Sequence, residues 1–401
     1  MLRVMIDLGG QSVFFVVEGG EVWSCGDSRH GALGYTSKKS LIVAPSKIPN
    51  LSKIVSVSAG DYHTLFLDAD GTVWACGCND RGELGLGDNN PRNKPEKIED
   101  IPPVQSVFAS FHFSLLLDVN GCVWSFGANF FGQLGLGDNT DRRRPEVIRG
   151  LPFITSIYAS SMFSIFLDAT GSVWSSGCDL YAKTRVATPY KITDIPPVVS
   201  VTHKYSGVML LDEDGSIWFL GDAKYHPKYF TAKKGSLLSR SLLPVRIKTV
   251  SVGKLHELFL DETGGVWSSG DNSSGQLGRQ DQNANKNAYS IDIIPGLPKI
   301  ISIATGDTHS LFLDVEGTVW ICGNHCGFRS PVPQPIPRIP KIYALYASKS
   351  CSILHDIEGF IWQVGGFAKG ACEEEFSCQR VPTPIVPLQP GCRTKSARNC
   401  A

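Results

Sequence analysis

A tryptophan recurs eight times along the chain at nearly regular intervals. The eight are Trp23, Trp74, Trp124, Trp174, Trp218, Trp267, Trp320 and Trp362, with spacings of 51, 50, 50, 44, 49, 53 and 42 residues. Every one has a glycine three residues before it and another three residues after it. Glycine accounts for 41 of the 401 residues, so sixteen such matches do not arise by chance. A repeat of this length predicts a fold assembled from copies of one small unit.

Each unit reads as a set of short antiparallel strands. In the second unit, residues 54–60, 64–68 and 72–77 are rich in β-branched and aromatic residues and are separated by turn residues. Asp70-Gly71 is typical of a tight hairpin, because glycine adopts a positive φ without strain. A fourth run follows a loop at residues 96–98. We therefore expect four strands in each unit and no helix.

An aspartate precedes the tryptophan by six residues in seven of the eight units, and Val17 replaces it in the first. A carboxylate at this point fits a hairpin turn, where it accepts nearby backbone N–H bonds. The seven are Asp68, Asp118, Asp168, Asp212, Asp261, Asp314 and Asp356.

A single four-stranded unit cannot bury both of its faces. Stacking such units around an axis buries them, and closing the ring protects the sheet edges. The pattern therefore predicts an all-β fold, a β-propeller of four-stranded antiparallel blades. We interpret the eight tryptophans as packing residues between neighbouring blades, since a large aromatic repeated in register is a packing device.

The repeat resembles that of the regulator-of-chromosome-condensation family. The similarity is clearest at residues 60–85 and 306–323, and it includes the loop motif Gly-x-Leu-Gly that ends at Gly34, Gly85, Gly135 and Gly278. The resemblance implies a propeller over residues 1–365, followed by a C-terminal segment, 366–401, that is part closing strand and part disordered tail. Family members usually have seven blades, whereas eight repeat units are counted here. The loop motif is missing from the other four units, so we expect reshaped connections there.

Composition limits the partners. Lys plus Arg and Asp plus Glu both number 38, which argues against a whole-protein attraction to nucleic acid or to an anionic membrane. No stretch approaches the ~18 apolar residues of a membrane span. We expect a monomeric intracellular protein, cytoplasmic or nuclear, whose twelve cysteines are reduced thiols.

No motif predicts a catalytic, metal or cofactor site. The glycine-rich residues 84–88 lack the helix that a phosphate loop requires, so we interpret them as a repeat turn. His63, His256 and His309 share one repeat position and are expected to satisfy backbone groups within their own blades. Cys322, His325 and Cys326 are the nearest approach to a zinc site, but Cys322 shares a repeat position with Cys25 and Cys76.

The most asymmetric segment is basic and aromatic. Residues 223–248 contain seven Lys and Arg and no acid. A loop of this kind on a rigid scaffold predicts a contact surface for a partner, although a solvated insertion without function explains it equally well. The proposed partner-binding residues are Lys224, Tyr225, Lys228, Tyr229, Phe230, Lys233, Lys234 and Arg240.

We therefore expect a non-catalytic scaffold for protein–protein interaction. The family resemblance leaves two alternatives open: guanine-nucleotide exchange on a small GTPase, and a substrate adaptor in ubiquitin ligation. Exchange in the family's founding member uses a hairpin that projects from one blade, and here only residues 222–247 offer room for one. No catalytic ligase domain fits in the remaining residues.

Overall fold

A computed structural model of the chain describes residues 5–9, 12–178, 185–204, 207–221, 230–232, 238–241, 243–280, 288–325, 328–348, 351–364 and 378–380. All regular structure in these ranges is β-strand, arranged in eight antiparallel sheets. The ranges therefore contain no helix that could cross a membrane.

In seven of the eight sheets the strands pair in the order in which they follow one another in the chain, as a meander. The strands of the first four sheets, here called blades 1 to 4, are as follows: β1 (Met5–Leu8), β2 (Ser12–Val16), β3 (Val22–Asp27) and β4 (Leu41–Lys47); β5 (Ile54–Ala59), β6 (His63–Asp68), β7 (Val73–Gly77) and β8 (Arg92–Lys97); β9 (Val104–Ala109), β10 (Phe113–Asp118), β11 (Val123–Gly127) and β12 (Arg142–Val147); β13 (Ile154–Ala159), β14 (Phe163–Asp168), β15 (Val173–Cys178) and β16 (Arg185–Lys191).

Blades 5 to 8 continue the pattern. Their strands are β17 (Val198–Lys204), β18 (Gly207–Asp212), β19 (Ile217–Gly221), β20 (Phe230–Ala232) and β21 (Leu238–Ser241); β22 (Ile247–Val252), β23 (His256–Asp261), β24 (Val266–Gly270) and β25 (Ala288–Ile293); β26 (Ile300–Thr305), β27 (His309–Asp314), β28 (Val319–His325) and β29 (Phe328–Pro335); β30 (Ile342–Ser348), β31 (Cys351–Asp356), β32 (Ile361–Val364) and β33 (Cys378–Arg380).

The first strand of every blade lies at the axis of a closed ring. These strands contact one another in the order β1, β5, β9, β13, β17, β22, β26 and β30, and β30 contacts β1. Blades 8 and 1 share an apolar cluster in which Phe15 and Cys25 meet Cys351 and Ile353. Eight blades are therefore present, as the repeat count predicts, and the family's usual seven does not hold for this chain.

The core is divided among the blade interfaces. Eight apolar clusters are present, each formed by two adjacent blades, and one tryptophan packs partly buried against each of them. Between blades 1 and 2, for example, Phe14, Leu33 and Phe66 are fully buried and Trp74 lies beside them. Each such interface stabilises its two blades by removing aromatic and aliphatic area from water.

The repeated aspartate organises the hairpin between the second and third strands. Asp118 Oδ1 accepts hydrogen bonds from the backbone N–H of Asn120 (2.8 Å) and Cys122 (2.9 Å), as the sequence predicts. Its Oδ2 also accepts one from Trp124 Nε1 (3.1 Å), which the sequence interpretation missed. The same carboxylate-to-indole bond is present in all seven repeats that carry the aspartate.

The repeated histidines hydrogen-bond through Nε2 to a serine hydroxyl of the next blade, so the expectation that they satisfy backbone groups of their own blade was wrong. His63 Nε2 lies 2.8 Å from Ser114 Oγ of the next blade, and Ser114 Oγ donates to the carbonyl of Glu83. The hydroxyl hydrogen of Ser114 is already used in the bond to that carbonyl. His63 Nε2 therefore carries a hydrogen and is the donor in the hydrogen bond to Ser114 Oγ. His256 makes the same bond to Ser310 (2.9 Å). These bonds connect positions about one repeat apart.

Two blades depart from the regular pattern. Blade 5 has five strands, since β20 pairs with β21 on its outer edge. In blade 8 the fourth strand is β33, which pairs with β32. Residues 381–401 lie outside the described residues, as does the strand-like run 383–388.

Candidate functional site

The loops of the ring divide between two rims. Because the strands are antiparallel, the connections from first to second strand and from third to fourth strand lie at one end, here called the loop rim. The hairpins between second and third strands lie at the opposite end, here called the hairpin rim.

The loop rim carries a set of two-residue hairpin tips. In blade 2 the backbone N–H of Gly60 bonds to the carbonyl of His63, and in blade 3 Ser110 bonds in the same way to Phe113. The two residues between are projected from the rim, as two-residue hairpins require. These tips are residues 61–62, 111–112, 161–162, 254–255 and 307–308. The hydrogen-bonded frame repeats, while the side chains at these tips differ from blade to blade.

An aromatic patch lies across blades 1, 2 and 3 on this rim. We define it as His30, Tyr62, Phe111 and His112. Tyr62 is at its centre: its ring centroid lies 4.8 Å from His30, 5.2 Å from Phe111 and 5.3 Å from His112, and only the last pair is stacked. Phe111 and His112 meet edge-on at 4.7 Å. Phe111 remains 36% exposed, so the rings are ordered by one another and still reach solvent.

A buried carboxylate holds the patch from beneath. Glu83, in the third-to-fourth-strand loop of blade 2, is fully buried, and its Oε1 accepts from His112 Nδ1 at 3.2 Å. Its Oε2 accepts from the backbone N–H of Arg81 at 2.7 Å. Burial acts to raise the pKa of Glu83, but these hydrogen bonds and the nearby imidazoles hold it below its usual value. The ionised carboxylate therefore fixes His112, and with it one side of the patch.

Two arginines cap the next aromatic pair along the rim. The Arg81 guanidinium lies 4.6 Å from the ring centroid of Phe130, which is 45% exposed. Arg185 lies 5.6 Å from the ring of Phe131. Arg81 also pairs with Asp141 at 3.5 Å, so blades 2, 3 and 4 are joined by these contacts. Ordered arginine and aromatic side chains are the residue types that dominate protein interfaces.

The loops that support these residues are themselves held by hydrogen bonds. Asn79 Oδ1 accepts from the backbone N–H of Leu84, and its Nδ2 donates to the carbonyl of Asp88. Asn129 repeats both bonds in blade 3. The turn also needs a left-handed glycine, Gly85, with a φ of 70°. The glycine-rich residues thus form the repeat turn that the sequence predicts.

A central cavity of about 580 Å³ opens beside the patch, at the loop-rim ends of the first strands. Phe111 belongs to both the patch and the cavity wall. Among the described lining residues, Asp7, Asp61 and Asp307 carry carboxylates and Lys254 carries an ammonium. Asp7 Oδ2 accepts from the backbone N–H of Ala59 in the next blade (2.7 Å). Burial raises the pKa of Asp7 to about 6, although the backbone hydrogen bonds from Ala59 and Leu8 act against it.

Most of the basic partner-binding segment lies outside the described residues. The residues outside the described ranges are Lys224, Tyr225, Lys228, Tyr229, Lys233 and Lys234. Phe230 is described only by its place in strand β20. Arg240 is described: its guanidinium lies 5.7 Å from the ring centroid of Trp218 and donates to Ser216 Oγ at 2.8 Å. That arginine therefore contacts its own blade, and the segment as a binding surface stays a prediction.

The candidate zinc residues do not come together among the residues described. Cys322 is buried, with its thiol near the carbonyl of Gln276, and His325 Nε2 bonds to the carbonyl of Val364 at 3.0 Å. Cys326 lies outside the described ranges. Within those ranges no three His, Cys, Asp or Glu side chains are grouped as a metal site would need.

The sequence interpretation missed the aromatic patch. Its residues come from three neighbouring blades and are far apart in the chain, so no local sequence motif joins them. A usable signal was present: residues 61–62 and 111–112 occupy the same two positions of the repeat, and each pair contains an aromatic side chain.

Comparison with known proteins agrees with the repeat. Two family models, both described as regulator of chromosome condensation (RCC1) repeat, match this chain. One matches residues 54–83, 247–276 and 300–327, and the other matches residues 19–67, 70–117, 120–167 and 263–313. Together they cover more than half of the chain.

Similarity to individual proteins is confined to parts of them. The human probable E3 ubiquitin-protein ligase HERC6 is 36% identical over 89 residues, which are 22% of this chain and 9% of that protein. The human RCC1-like G exchanging factor-like protein is 35% identical over 81 residues, 20% of this chain and 18% of that one. The aligned part is thus less than a fifth of either relative.

A solved structure shares the architecture over most of its length. The crystal structure of Prp20p from Saccharomyces cerevisiae, described with its binding properties to Gsp1p and histones, superposes with a TM-score of 0.62. It is 21% identical in sequence, and the match covers 83% of this chain and 90% of Prp20p. At this identity the likeness concerns the fold.

Proposed function

We propose that this chain, which belongs to the regulator of chromosome condensation (RCC1) repeat family, is a non-catalytic scaffold that binds another protein through its loop rim. The observation that carries the proposal is the aromatic patch. It presents partly exposed rings that are already packed against one another, so little side-chain entropy is lost when a partner covers them. The proposal applies to a monomer inside the cell, with protein and not nucleic acid as its partner.

The surroundings of the patch support an interface. Aromatic residues and arginine supply most of the binding energy at protein surfaces when they lie in a rigid, well-packed setting. Here the patch and the Arg81–Phe130 pair lie on the same rim and are linked through Glu83, which accepts from His112 and from the backbone N–H of Arg81. Buried Glu83 and the asparagine-held loops keep both in place.

Affinity capture with patch variants tests this proposal. The full chain and the double variant Tyr62→Ala, Phe111→Ala would be used as baits, and recovered proteins quantified by mass spectrometry. We expect proteins captured by the native chain to be reduced at least tenfold with the variant. The matched control is Phe153→Ala, which removes a 55% exposed phenylalanine from the hairpin rim. Equal recovery with the patch variant and the control would refute the proposed surface.

Guanine-nucleotide exchange on a small GTPase is a second candidate. One feature favours it: blade 5 carries an added strand, β20, in the segment where the sequence leaves room for a projecting hairpin. Similarity to the human RCC1-like G exchanging factor-like protein also supports this candidate. Release of labelled GDP from a panel of small GTPases tests it, and no acceleration for any of them would remove it.

A substrate adaptor in ubiquitin ligation remains the further alternative, because one relative is a probable E3 ubiquitin-protein ligase. In that case the proteins captured through the patch would include ubiquitin ligases or their substrates. Their absence from the patch-dependent set would exclude this form of the scaffold.

A further inference from the structure

We propose that the outer edge of blade 6 binds an extended segment of a protein partner, which joins the sheet as a fifth strand beside β25. This edge lies on the perimeter of the ring and is separate from the loop rim. The inference goes beyond the proposed function, because it gives the ring a second contact whose occupant is recognised mainly through its backbone.

The outermost strands of the other blades are protected against such pairing. In the described part of the chain, every blade except blade 5 ends outward at its fourth strand. Proline lacks an N–H to donate and a basic side chain resists being covered, so both residue types protect a free edge. Six of these strands have at least six residues, and five of the six contain a proline together with a lysine or arginine: β4, β8, β12, β16 and β29. The sixth, β25, has the sequence Ala-Tyr-Ser-Ile-Asp-Ile and contains neither.

The backbone of β25 presents its hydrogen-bonding groups to solvent at Ile293. This residue lies opposite Trp267 of β24. The next residue, Ile294, donates its N–H to the carbonyl of Val266 at 2.7 Å. Since successive residues of a strand direct their N–H and C=O groups to opposite sides, those of Ile293 point away from β24. No described strand pairs with β25 on that side, so an added strand displaces no bond of the sheet.

Blade 5 has the equivalent edge filled by a strand of this chain. Its β21 also lacks proline, and Arg240 lies opposite Trp218, the position that Ile293 holds in blade 6. On the outer side of β21, Thr231 of β20 pairs antiparallel with Arg240. Because β20 has only three residues, a short segment is sufficient to extend a blade at this position. The occupant of blade 6 is therefore an antiparallel segment that pairs with Ile293 in the same register.

A bulge in β25 does not interrupt this register. The pairing of β24 with β25 shifts between Ser268 and Gly270, but Asp292 and Ile293 remain regularly paired. In blade 5 the added strand uses only the equivalent regular positions, residues 239–241. The bulge therefore limits the added strand to a short length and leaves its central position accessible.

The side chains at this edge determine the chemistry of the segment. Ile293 is 51% exposed, so a β-branched or aromatic residue opposite it gains an apolar contact. Asp292, on the other face of β25, pairs with Arg279; the arginine side chain is buried, whereas that of Asp292 is 54% exposed. An acidic residue beside Asp292 would meet a like charge. The partner segment is therefore extended, free of proline, apolar at its centre and without an acidic residue next to that centre.

A peptide library with one fixed position tests this inference. Heptapeptides with randomised flanks would carry isoleucine, N-methylisoleucine, proline or aspartate at the centre, and binding to the full chain would be measured by fluorescence anisotropy. We expect the isoleucine set to bind at least about tenfold better than each other set, because N-methylation and proline remove the central N–H and aspartate removes the apolar contact. Equal binding of the isoleucine and N-methylisoleucine sets would overturn the inference.

Substitutions taken from other blades provide matched controls. Ile293→Pro introduces the residue that blade 7 carries opposite its tryptophan, Pro335, and removes only an N–H that points away from β24. This variant should bind the isoleucine set no better than the N-methylisoleucine set, whereas Ile293→Val should bind it within about twofold of the native chain.

A second blocked edge guards against misfolding of the proline variant. Ile293→Lys introduces the residue type that blade 1 carries at this position, Lys47, and should also abolish the preference for isoleucine. Thermal unfolding of each variant separates lost binding from lost folding. Undiminished preference in a folded variant with a blocked edge would overturn the inference.

Sedimentation analysis distinguishes a partner segment from a second copy of this chain. We expect the native chain and Ile293→Pro to sediment alike, as monomers. A native dimer that Ile293→Pro abolishes would show that another copy occupies the edge, and the assignment to a partner segment would be wrong.

The two proposals fail in different ways. The variant Tyr62→Ala, Phe111→Ala should keep the preference for the isoleucine set, because its substitutions lie on the loop rim. If that preference is found but the rim variant does not change partner recovery, the proposed function is wrong and the edge inference stands. If partner recovery depends on the rim and the isoleucine set has no advantage, the edge inference is wrong and the proposed function stands.

Discussion

The indole N–H of Trp23 has no hydrogen-bond partner in the described part of the chain, because Val17 occupies the position from which an aspartate accepts this bond in the other seven repeats. Val17 instead packs in the apolar cluster between blades 8 and 1. The first repeat thus exchanges a polar contact for an apolar one at the interface that closes the ring. In the other seven repeats, the aspartate therefore provides the hydrogen-bond acceptor that the Trp23 indole lacks.

Replacing one of these aspartates should destabilise the ring. Asp118→Ala removes an acceptor from two backbone N–H groups and from the Trp124 indole, at a site that is only 2% exposed. We expect a loss of about 2–3 kcal/mol in the free energy of unfolding, measured in urea. Asn120→Ala, at the exposed position of the same hairpin, serves as the control and should change stability by less than about 0.5 kcal/mol. Similar values for both would show that the aspartate is not the organising residue.

The glycine three residues before His309 leaves no room for a side chain, because the histidine ring lies against it. A Cβ at Gly306 would lie 2.0 Å from His309 Cε1. Two repeats with serine at this position have phenylalanine in place of the histidine, as in Ser110 with Phe113, and in blade 8 Ser348 is followed by Cys351. We therefore expect Gly306→Ser to destabilise by about 2 kcal/mol or more, and addition of His309→Phe to recover part of that loss.

A double-mutant cycle of these two substitutions measures the coupling. His309→Phe alone also costs stability, because Ser352 Oγ loses its contact with His309 Nε2 (2.9 Å). Strict additivity of the two free-energy changes, within about 0.5 kcal/mol, would contradict the steric explanation.

Acidification should destabilise the ring through its buried histidines. Burial lowers the pKa of His63 to about 4 from the usual 6.5 of a histidine. Between these two values the unfolded chain binds more protons than the folded chain, so stability contributed by neutral His63 is lost as the pH falls through this window. The loss is about 3 kcal/mol at most. The difference in stability between native protein and His63→Phe should shrink from pH 7 to pH 4, and a pH-independent difference would contradict it.

Asp7 should act in the opposite direction. Its pKa of about 6 exceeds the usual 3.8 of an aspartate, so the folded chain binds the extra proton and stability rises as the pH falls from about 6 towards 4. Asp7→Asn removes the ionised carboxylate while keeping an oxygen acceptor for the Ala59 N–H. We expect this variant to be more stable than the native protein at pH 7.5 by about 1–2 kcal/mol, and the advantage to disappear near pH 4. A variant that is less stable at pH 7.5 would show that the ionised form is favoured.

The cysteines should differ sharply in reactivity. Burial raises the pKa of the Cys25, Cys76 and Cys322 thiols well above the usual value, whereas Cys122 is exposed. Because the thiolate is the reactive form, brief treatment of the native protein with iodoacetamide should modify Cys122 and leave these three unmodified. Peptide mass spectrometry reads the result, and treatment in urea provides full modification as a reference. Modification of Cys76 in the native protein would contradict its burial.

Much of the architecture followed from the sequence alone, because each blade is encoded by neighbours in the chain. The strand β7, the hairpin at Gly71 and the carboxylate of Asp68 lie within ten residues of one another, so turn chemistry and strand alternation were sufficient to predict them. Eight such units gave the number of blades. Even the exception at Val17 was visible as a break in the pattern.

Only the tertiary structure decided what lies between blades. The bond from His63 to Ser114, the stacking of Tyr62 on His112 and the common cavity of Asp7, Asp61 and Asp307 join residues that are about 50 to 300 positions apart. Their proximity depends on the angle between adjacent sheets and on closure of the ring, neither of which is expressed in any local stretch of residues. The repeat therefore determined the blades, whereas the geometry of the closed ring determined which side chains meet on the rim.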